Sequence, residues 1–407
     1  MSLQSLKQKL VKKRYKVLER YNYYEMKETT SNTGIVIPAR LKQSHKSKLG
    51  WCTKAVDALA DRLIFDGFNN DNFDLMALFN LNNPDILFDS AILSALISSC
   101  SFIYIAKDED GEARMQVIDG ANATGTIDPI TGLLAEGYAV LKRGESQDVE
   151  MDVYFEPNKT TIYDYKNNSV TEYKHKVAYP LLVPIIYRAD AKRPFGHSRI
   201  SRACMNIQNK AKNVLTRGDI AAEFYSYPQK YVLGLSEDVE DGFETWKATI
   251  SSMLSFGKDS DGDKPTVGQF TQQSMEPHIS QFRMYASAFA GETGLTLDDL
   301  GFATENPSSA EAIKAAHEVL RLTAKKAQRS FGTGFLNAGF LARCLTDDFT
   351  YERKIVYLTT PKWLPVFEPD SAMLSSIGDG AIKLNQAIDG FITSKNLSEL
   401  TGIKGNE

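Results

Sequence analysis

Apolar residues recur near the start of the chain at Leu3, Leu6, Leu10, Val17, Tyr21 and Tyr24, the spacing of one helix face. Lys7, Lys12, Lys13, Arg14 and Lys16 fill positions around it, so residues 3–24 are predicted to form a basic amphipathic helix. Such a helix can lie on a membrane surface or reach for nucleic acid. The expectation here is the plainer one, a surface helix docked on its own domain. Helical patterning returns over residues 50–99. From 101 to 188 the period drops to two: SFIYIA and ARMQVI flank a DEDGE turn, and LLAEGYAVLKR, VEMDVYFE, TTIYDYK and SVTEYKH follow with regular turn signals. A mostly antiparallel sheet flanked by helices is expected.

A short apolar strand, VPIIY, then leads through RADAKRPFGHSR into one long helix over 198–227, with Ser198 as its N-cap and Pro228 as its terminator. At about 100° per residue, Ile200, Ala203, Cys204, Ile207, Ala211, Val214, Leu215, Ala221, Ala222 and Tyr225 share one arc. Beside it runs a polar row of Arg199, Arg202, Asn206, Lys210, Asn213 and Arg217. The patterning leaves open whether that row is solvated, packs on another helix or copy, or faces a polyanion.

Residues 228–272 read strand, helix, strand: KYVLGL, a helix opened by Ser236 with an apolar row of Val239, Phe243, Trp246, Ile250 and Met253, then PTVGQF. A unit this small can hardly bury that row alone. A second helix over 277–290 follows, then the connector GETGLTLDDLGFATENP, residues 291–307, longer than most helix-to-helix links. Its Gly291, Gly294 and Gly301 permit several backbone paths, while Leu295, Leu297, Leu300 and Phe302 alternate with Asp298 and Asp299. Ser308 and Glu311 form a capping box for a further long helix, with Gly332, Gly334 and Gly339 marking an expected kink or break. The KIVYLTTPKW strand and a last helix near 371–389 complete an α+β pattern.

The chain of 407 residues carries 47 Lys and Arg against 51 Asp and Glu, a net charge of −4. This balance argues against tight phosphate neutralisation but is compatible with a conduit through which a polyanion must slide. The four cysteines, Cys52, Cys100, Cys204 and Cys344, fit neither a disulfide framework nor a zinc site, so a reducing compartment and no metal are expected. The start MSLQSLKQKLVKKRYK is no secretory signal, and the longest apolar run, SAILSALISSCSFIYIA, is broken by serines and too polar for a membrane span.

Enzyme signatures fail on inspection. GHSRI resembles a nucleophile elbow, but Ile200 replaces its second glycine and the strand lies nine residues from His197. His317 and Glu318 begin a zinc-protease pattern that Arg321 ends. Asp259, Asp261 and Asp263 start a calcium-like loop in which Lys264 and Phe270 occupy the required glycine and glutamate positions. There is no phosphate-binding loop, so neither cofactor nor turnover is expected. A soluble hydrolase or other enzyme with an unrecognised site remains the alternative reading.

Five pieces taken together, VPIIYR, FGHSRI, PQKYVLGL, TGLTLDDLGF and NPSSAEAIKAA, resemble the portal proteins of tailed bacteriophages, those of siphophages infecting Gram-positive hosts. YYEMKETTSN and AVDALADRLIFDGF extend the similarity toward the N-terminus. The resemblance implies an N-terminal wing (1–195), a first stem helix (196–227), a clip (228–272), a second stem helix (273–290), a tunnel loop (291–307), and a long helix with wing return and short crown-side helices (308–407). A full crown is not expected. It further implies a dodecameric ring at one capsid vertex of the virion, assembled in the host cytoplasm. Terminase would package double-stranded DNA through it without sequence preference, in contact with capsid, scaffold and head-completion proteins. Gly294, Leu295, Thr296, Leu297, Asp298, Asp299 and Leu300 would line the channel. Arg199, Arg202, Lys210 and Arg217 would face either the channel or the next subunit, and Phe243, Trp246 and Ile250 would lie between neighbouring clips.

Overall fold

A computed structural model describes residues 2–28, 46–226, 230–233, 266–269, 274–302, 315–367, 369 and 371–403. It divides into two compact units, one of residues 1–28, 50–205 and 289–407, the other of residues 29–49 and 206–288.

In the first unit, α1 (Leu3–Tyr24) is followed by α2 (Trp51–Ala60), β1 (Phe65–Asn69), α3 (Leu75–Asn80) and α4 (Pro84–Ser98). Eight strands come next: β2 (Cys100–Lys107), β3 (Ala113–Ile118), β4 (Ala123–Ile127), β5 (Leu134–Arg143), β6 (Val149–Glu156), β7 (Lys159–Asp164), β8 (Ser169–Lys174) and β9 (Leu182–Ile186). They form two antiparallel sheets, β3-β2-β9 and the meander β4 to β8. β4, ATGTI, was not singled out by the alternation. Its residues are mostly small and its first three are buried, and a Cβ on its Gly125 would meet the Glu136 carbonyl at 2.7 Å, so the strand is specified by close approach to β5.

The helix α1 docks on the sheet as expected. Leu6 and Leu10 pack with Tyr138 and Val140 of β5. Lys7 anchors it electrostatically: its Nζ lies 2.8 Å from the buried Asp152 carboxylate and within 5.5 Å of the ring centres of Tyr138, Tyr163 and Tyr165. Asp152 also accepts hydrogen bonds from the Tyr138 and Tyr165 hydroxyls, at 2.8 and 3.1 Å. All three contacts converge on Oδ2, and among the described residues the buried Oδ1 accepts no hydrogen bond.

The long helix of the C-terminal half, α7, runs unbroken over Glu318–Thr346. The expected break at its glycines does not occur. A Cβ on Gly332 would sit 2.7 Å from Pro361, one on Gly334 2.7 Å from Ile185, and one on Gly339 3.1 Å from Phe79. These glycines therefore bring the helix close to β9, to α3 and to β12 (Thr360–Trp363), which pairs antiparallel with β1. Phe65, Phe88, Phe335 and Trp363 meet there, with Phe65 within 5.1 Å of the other three rings, and fill the space the glycines leave. Of KIVYLTTPKW, only the last four residues are strand; Arg353–Val356 form a 3-10 turn. The helices α8 (Ser371–Ala387) and α9 (Ser394–Thr401) follow.

The helix α5 (Arg202–Ser226) begins in the first unit and continues into the second. The second unit also holds β10 (Lys230–Leu233) paired antiparallel with β11 (Thr266–Gln269), and most of α6 (Glu276–Thr293). Near Gly218 of α5 lie Met275 and His278 at the start of α6, at ordinary contact distances of 3.8 to 3.9 Å from where a Cβ would stand. Ser47 bonds the same helix through Thr216 and Asp219. The strand pair thus matches the two strands read from the sequence. The helix between them, with Phe243, Trp246 and Ile250, lies outside the described residues.

Candidate functional site

The long helix does not start where its periodicity suggested. Ser198 is not its cap: its hydroxyl donates to the Ile97 carbonyl at 2.6 Å and accepts from the Ile200 amide. Three residues later, Ser201 takes that role, its Oγ accepting from the Cys204 amide at 3.1 Å and donating to Glu292 at 2.8 Å. Extending a helical phase back through 198–201 had placed Arg199 on the polar row. In the structure Arg199 lies outside the helix and is buried, its Nε donating to the Ala55 carbonyl and its Nη to the Thr293 carbonyl at the end of α6. It caps one helix and ties it to another, so it is withdrawn from the candidate channel or inter-subunit surface.

The rest of the row keeps its place. Arg202, Asn206, Lys210 and Arg217 are exposed along α5. The opposite side buries Cys204, Ala211, Val214 and Ile220, and also Gln208, Lys212 and Thr216, which the apolar arc did not include. Ala203, placed in that arc, is exposed.

The connector after α6 is more ordered than its three glycines suggested. Gly291 belongs to the helix, which extends to Thr293. Gly294 then turns the chain with φ +69, and a Cβ there would meet Val319 at 2.7 Å. Leu295 is buried. Thr296 and Asp299 cap a 3-10 turn, Asp298–Leu300, reciprocally: the Thr296 amide donates to the Asp299 carboxylate at 2.8 Å and the Asp299 amide to the Thr296 hydroxyl at 3.1 Å. Leu297 and Leu300 are half-buried, and only Asp298 of this group is exposed. Gly294–Leu300 is therefore a stitched turn. Residues 303–314, which include the capping box at Ser308 and Glu311, lie outside the described residues.

A cleft that the sequence did not reveal lies at the start of α5. Arg202 lines it together with side chains of α1, α7 and the loop 188–198, in a cavity of about 1040 Å³. His197 stands 2.5 Å from Asp190, and this contact, with the Arg193 amide, holds the Asp190 carboxyl below its ordinary range. Burial pushes the Arg20 guanidinium down from its usual value; Glu19 opposes this, and Arg202 and Arg193 add to it. The sequence signal was weak, because these cations sit far apart along the chain.

Among the described residues no His, Cys, Asp and Glu cluster could hold a metal ion, and no helix is long and apolar enough to cross a membrane. All four cysteines are free and buried.

A sequence model of the family described as phage portal protein, SPP1 Gp6-like, matches residues 4–342. The chain is 24% identical over 342 residues to the portal protein of Mycobacterium phage D29, covering 79% of this chain and 70% of that one. It is 24% identical over 332 residues to the portal protein of Mycobacterium phage L5, covering 76% and 67%. Among solved structures it is similar to chains in the virion of a native gene transfer agent particle (TM-score 0.43, 12% identity, 90% of this chain and 93% of that one). A chain in the neck of an empty particle of the same kind gives TM-score 0.45 at 13% identity, with 90% and 94% covered.

Proposed function

From the premise that this chain belongs to the SPP1 Gp6-like family of phage portal proteins, we propose that twelve copies close into a ring at one capsid vertex, with double-stranded DNA packaged and later ejected through its axis. A portal is a structural component and not an enzyme. In this reading the first unit carries the wing, α5 and α6 are the stem helices, and the β10 and β11 pair belongs to the clip, where the terminase large subunit and later a head-completion protein dock. Capsid and scaffold proteins surround the ring, which assembles in the host cytoplasm before it becomes part of the virion.

The observation that carries this reading is α5 itself. It has 25 residues, and Arg202, Asn206, Lys210 and Arg217 stay exposed along it in the single subunit. On α6, Ile279 and Met284 are exposed as well, at 56% and 55%. Helices that leave both polar rows and apolar side chains uncovered are suited to packing against copies of themselves around a channel. Arg202, Lys210 and Arg217 then lie on the channel wall or the subunit seam. Phe243, Trp246 and Ile250 fill the seam between neighbouring clips. Within the stitched turn Gly294–Leu300, the exposed Asp298 is the residue that faces the DNA.

Mass measurement of the purified chain in solution tests this. A twelve-subunit mass is expected. A monomer at micromolar concentration, with or without scaffold and capsid proteins, would overturn it.

A further inference from the structure

Six cations from four separate stretches line the cleft at the start of α5: Lys16 and Arg20 of α1, Arg188 and Arg193 of the loop after β9, Arg202, and Lys326 of α7. Its two carboxylates are already engaged, Asp190 with His197 and the amides of Lys192 and Arg193, and Glu292 with the Ser201 hydroxyl. Among the described residues, none of the six cations has a carboxylate oxygen within 4.0 Å. The loop is nonetheless firmly built. Gly196 has φ +73, and a Cβ there would collide with the Tyr187 carbonyl at 2.0 Å; Arg188, a residue that pays for such a backbone, is held at φ +51. Gathering like charges in a concave site is unfavourable unless an anion completes it.

The same unit carries the opposite arrangement elsewhere. Asp61 follows α2, and Asp85 and Asp89 lie exposed on the first turns of α4. Burial and then the charges of Asp85 and Asp61 hold the Asp89 carboxyl above its ordinary range. None of the three carboxylates has an ion pair among the described residues. Each subunit therefore presents one self-repelling cationic cleft and one self-repelling anionic face.

We propose that the cleft is a subunit-to-subunit socket, in which Arg20, Arg188, Arg193 and Arg202 receive the Asp61, Asp85 and Asp89 face of the neighbouring copy. The inference rests on the ring reading above. In a head-to-tail ring every subunit gives one such face and receives another, so a single contact repeated around the ring relieves both clusters. Guanidinium forks match carboxylates two bonds at a time. A concave cleft admits side chains from a protein surface, whereas a DNA duplex presents its phosphates on a convex rod, which favours the protein partner. The rest of the chain supplies the needed acidity, since its net charge is −4 with the six cations included.

The test uses the full chain in three forms: Arg188→Glu with Arg193→Glu, Asp85→Lys with Asp89→Lys, and all four together. Ring fraction is measured by native mass across salt concentrations, and subunit folding by circular dichroism melting. Each charge-reversed pair is expected to lower the ring association constant by roughly tenfold or more with melting of the dissociated subunit unchanged, and the combined form to recover most of it. Recovery identifies a direct contact even if one pair also perturbs folding. Wild-type rings accompanied by equally stable rings in either pair, or no recovery in the combined form, would overturn the socket alone. Intact rings that lose DNA retention in heads with the arginine pair reversed would overturn it in favour of phosphate. Absence of rings in the wild type would overturn both the socket and the ring reading.

Discussion

Replacing Arg199 with methionine tests the reassignment of this residue from a surface row to a buried tie. The guanidinium is 8% exposed and donates to two carbonyls, Ala55 at 3.1 Å and Thr293 at the last residue of α6. Ala55 sits inside α2, so its carbonyl keeps a helical partner; Thr293 does not have that recourse. Losing two charge-assisted hydrogen bonds and stranding a helix-end carbonyl costs about 3 to 5 kcal/mol, and removing a desolvated charge while filling its stem with methionine returns about 1 kcal/mol. The net, about 3 kcal/mol, corresponds in a unit of roughly 300 residues to a fall in Tm of about 5 °C. Thermal melting of the full chain at one fixed concentration reads it, because association shifts Tm by mass action. Lys12→Met, at an exposed position of α1 outside the cleft and the stem, is the control and should stay within about 1 °C. Equal melting for the two variants would refute the reasoning, since it would mean that Arg199 is as solvated as the periodicity alone implies.

Further outcomes follow from the same geometry. Gly294→Ala should destabilise by about 1 to 3 kcal/mol, because it meets both a φ of +69 and Val319 at 2.7 Å, whereas Gly291→Ala, helical and facing open space, should stabilise by up to about 1 kcal/mol in the same melting assay. Burial alone would lower the Lys7 ammonium, but its bonds to Asp152 and Tyr165 raise it, and burial with the Asp152 bond raises the Tyr138 hydroxyl. Groups raised on folding stabilise below their unfolded values and lose that contribution above them, so stability should decline from about pH 10 upward. Lys7→Met should cost about 1 to 2 kcal/mol at neutral pH, discounted for the partial exposure of Lys7, and should flatten that alkaline decline as read by urea melts. Burial pushes the Cys52 thiol up, and all four cysteines are buried, so thiol reagents at pH 8 should label none of them until the chain unfolds; rapid labelling of the native protein would contradict the packing of α2, β2, α5 and α7.

The sequence was legible where one periodicity dominated. The helix α1 and the strands β2, β3 and β5 to β8 follow from spacings of three to four or of two and from the turn signals between them, although β2 is buried along nearly its whole length and β8 is exposed throughout. It misled where a local rule had two outcomes. Gly332, Gly334 and Gly339 read as breakers, but a helix glycine also serves where a strand must pass close by, and that choice is made by Ile185 and Pro361, far off in sequence. Ser198 and Ser201 are both plausible caps; hydrogen bonding of Ser198 to Ile97, a hundred residues away, decides between them. The basic cleft was invisible for the same reason, since Lys16, Arg188, Arg202 and Lys326 meet only through the fold. In the connector, Thr296 and Asp299 did carry a local signal, the spacing of a reciprocal cap, which the glycines around it obscured.

The measurement that bears most directly on the central claim is electron cryomicroscopy of the purified full-length chain, imaged as particles along and across their symmetry axis. The account predicts a closed ring of twelve copies with an axial channel wide enough for a DNA duplex, α5 and α6 in its wall, and Arg202, Lys210 and Arg217 on that wall or at the seam. Monomers, or a compact oligomer with no axial channel, would contradict it.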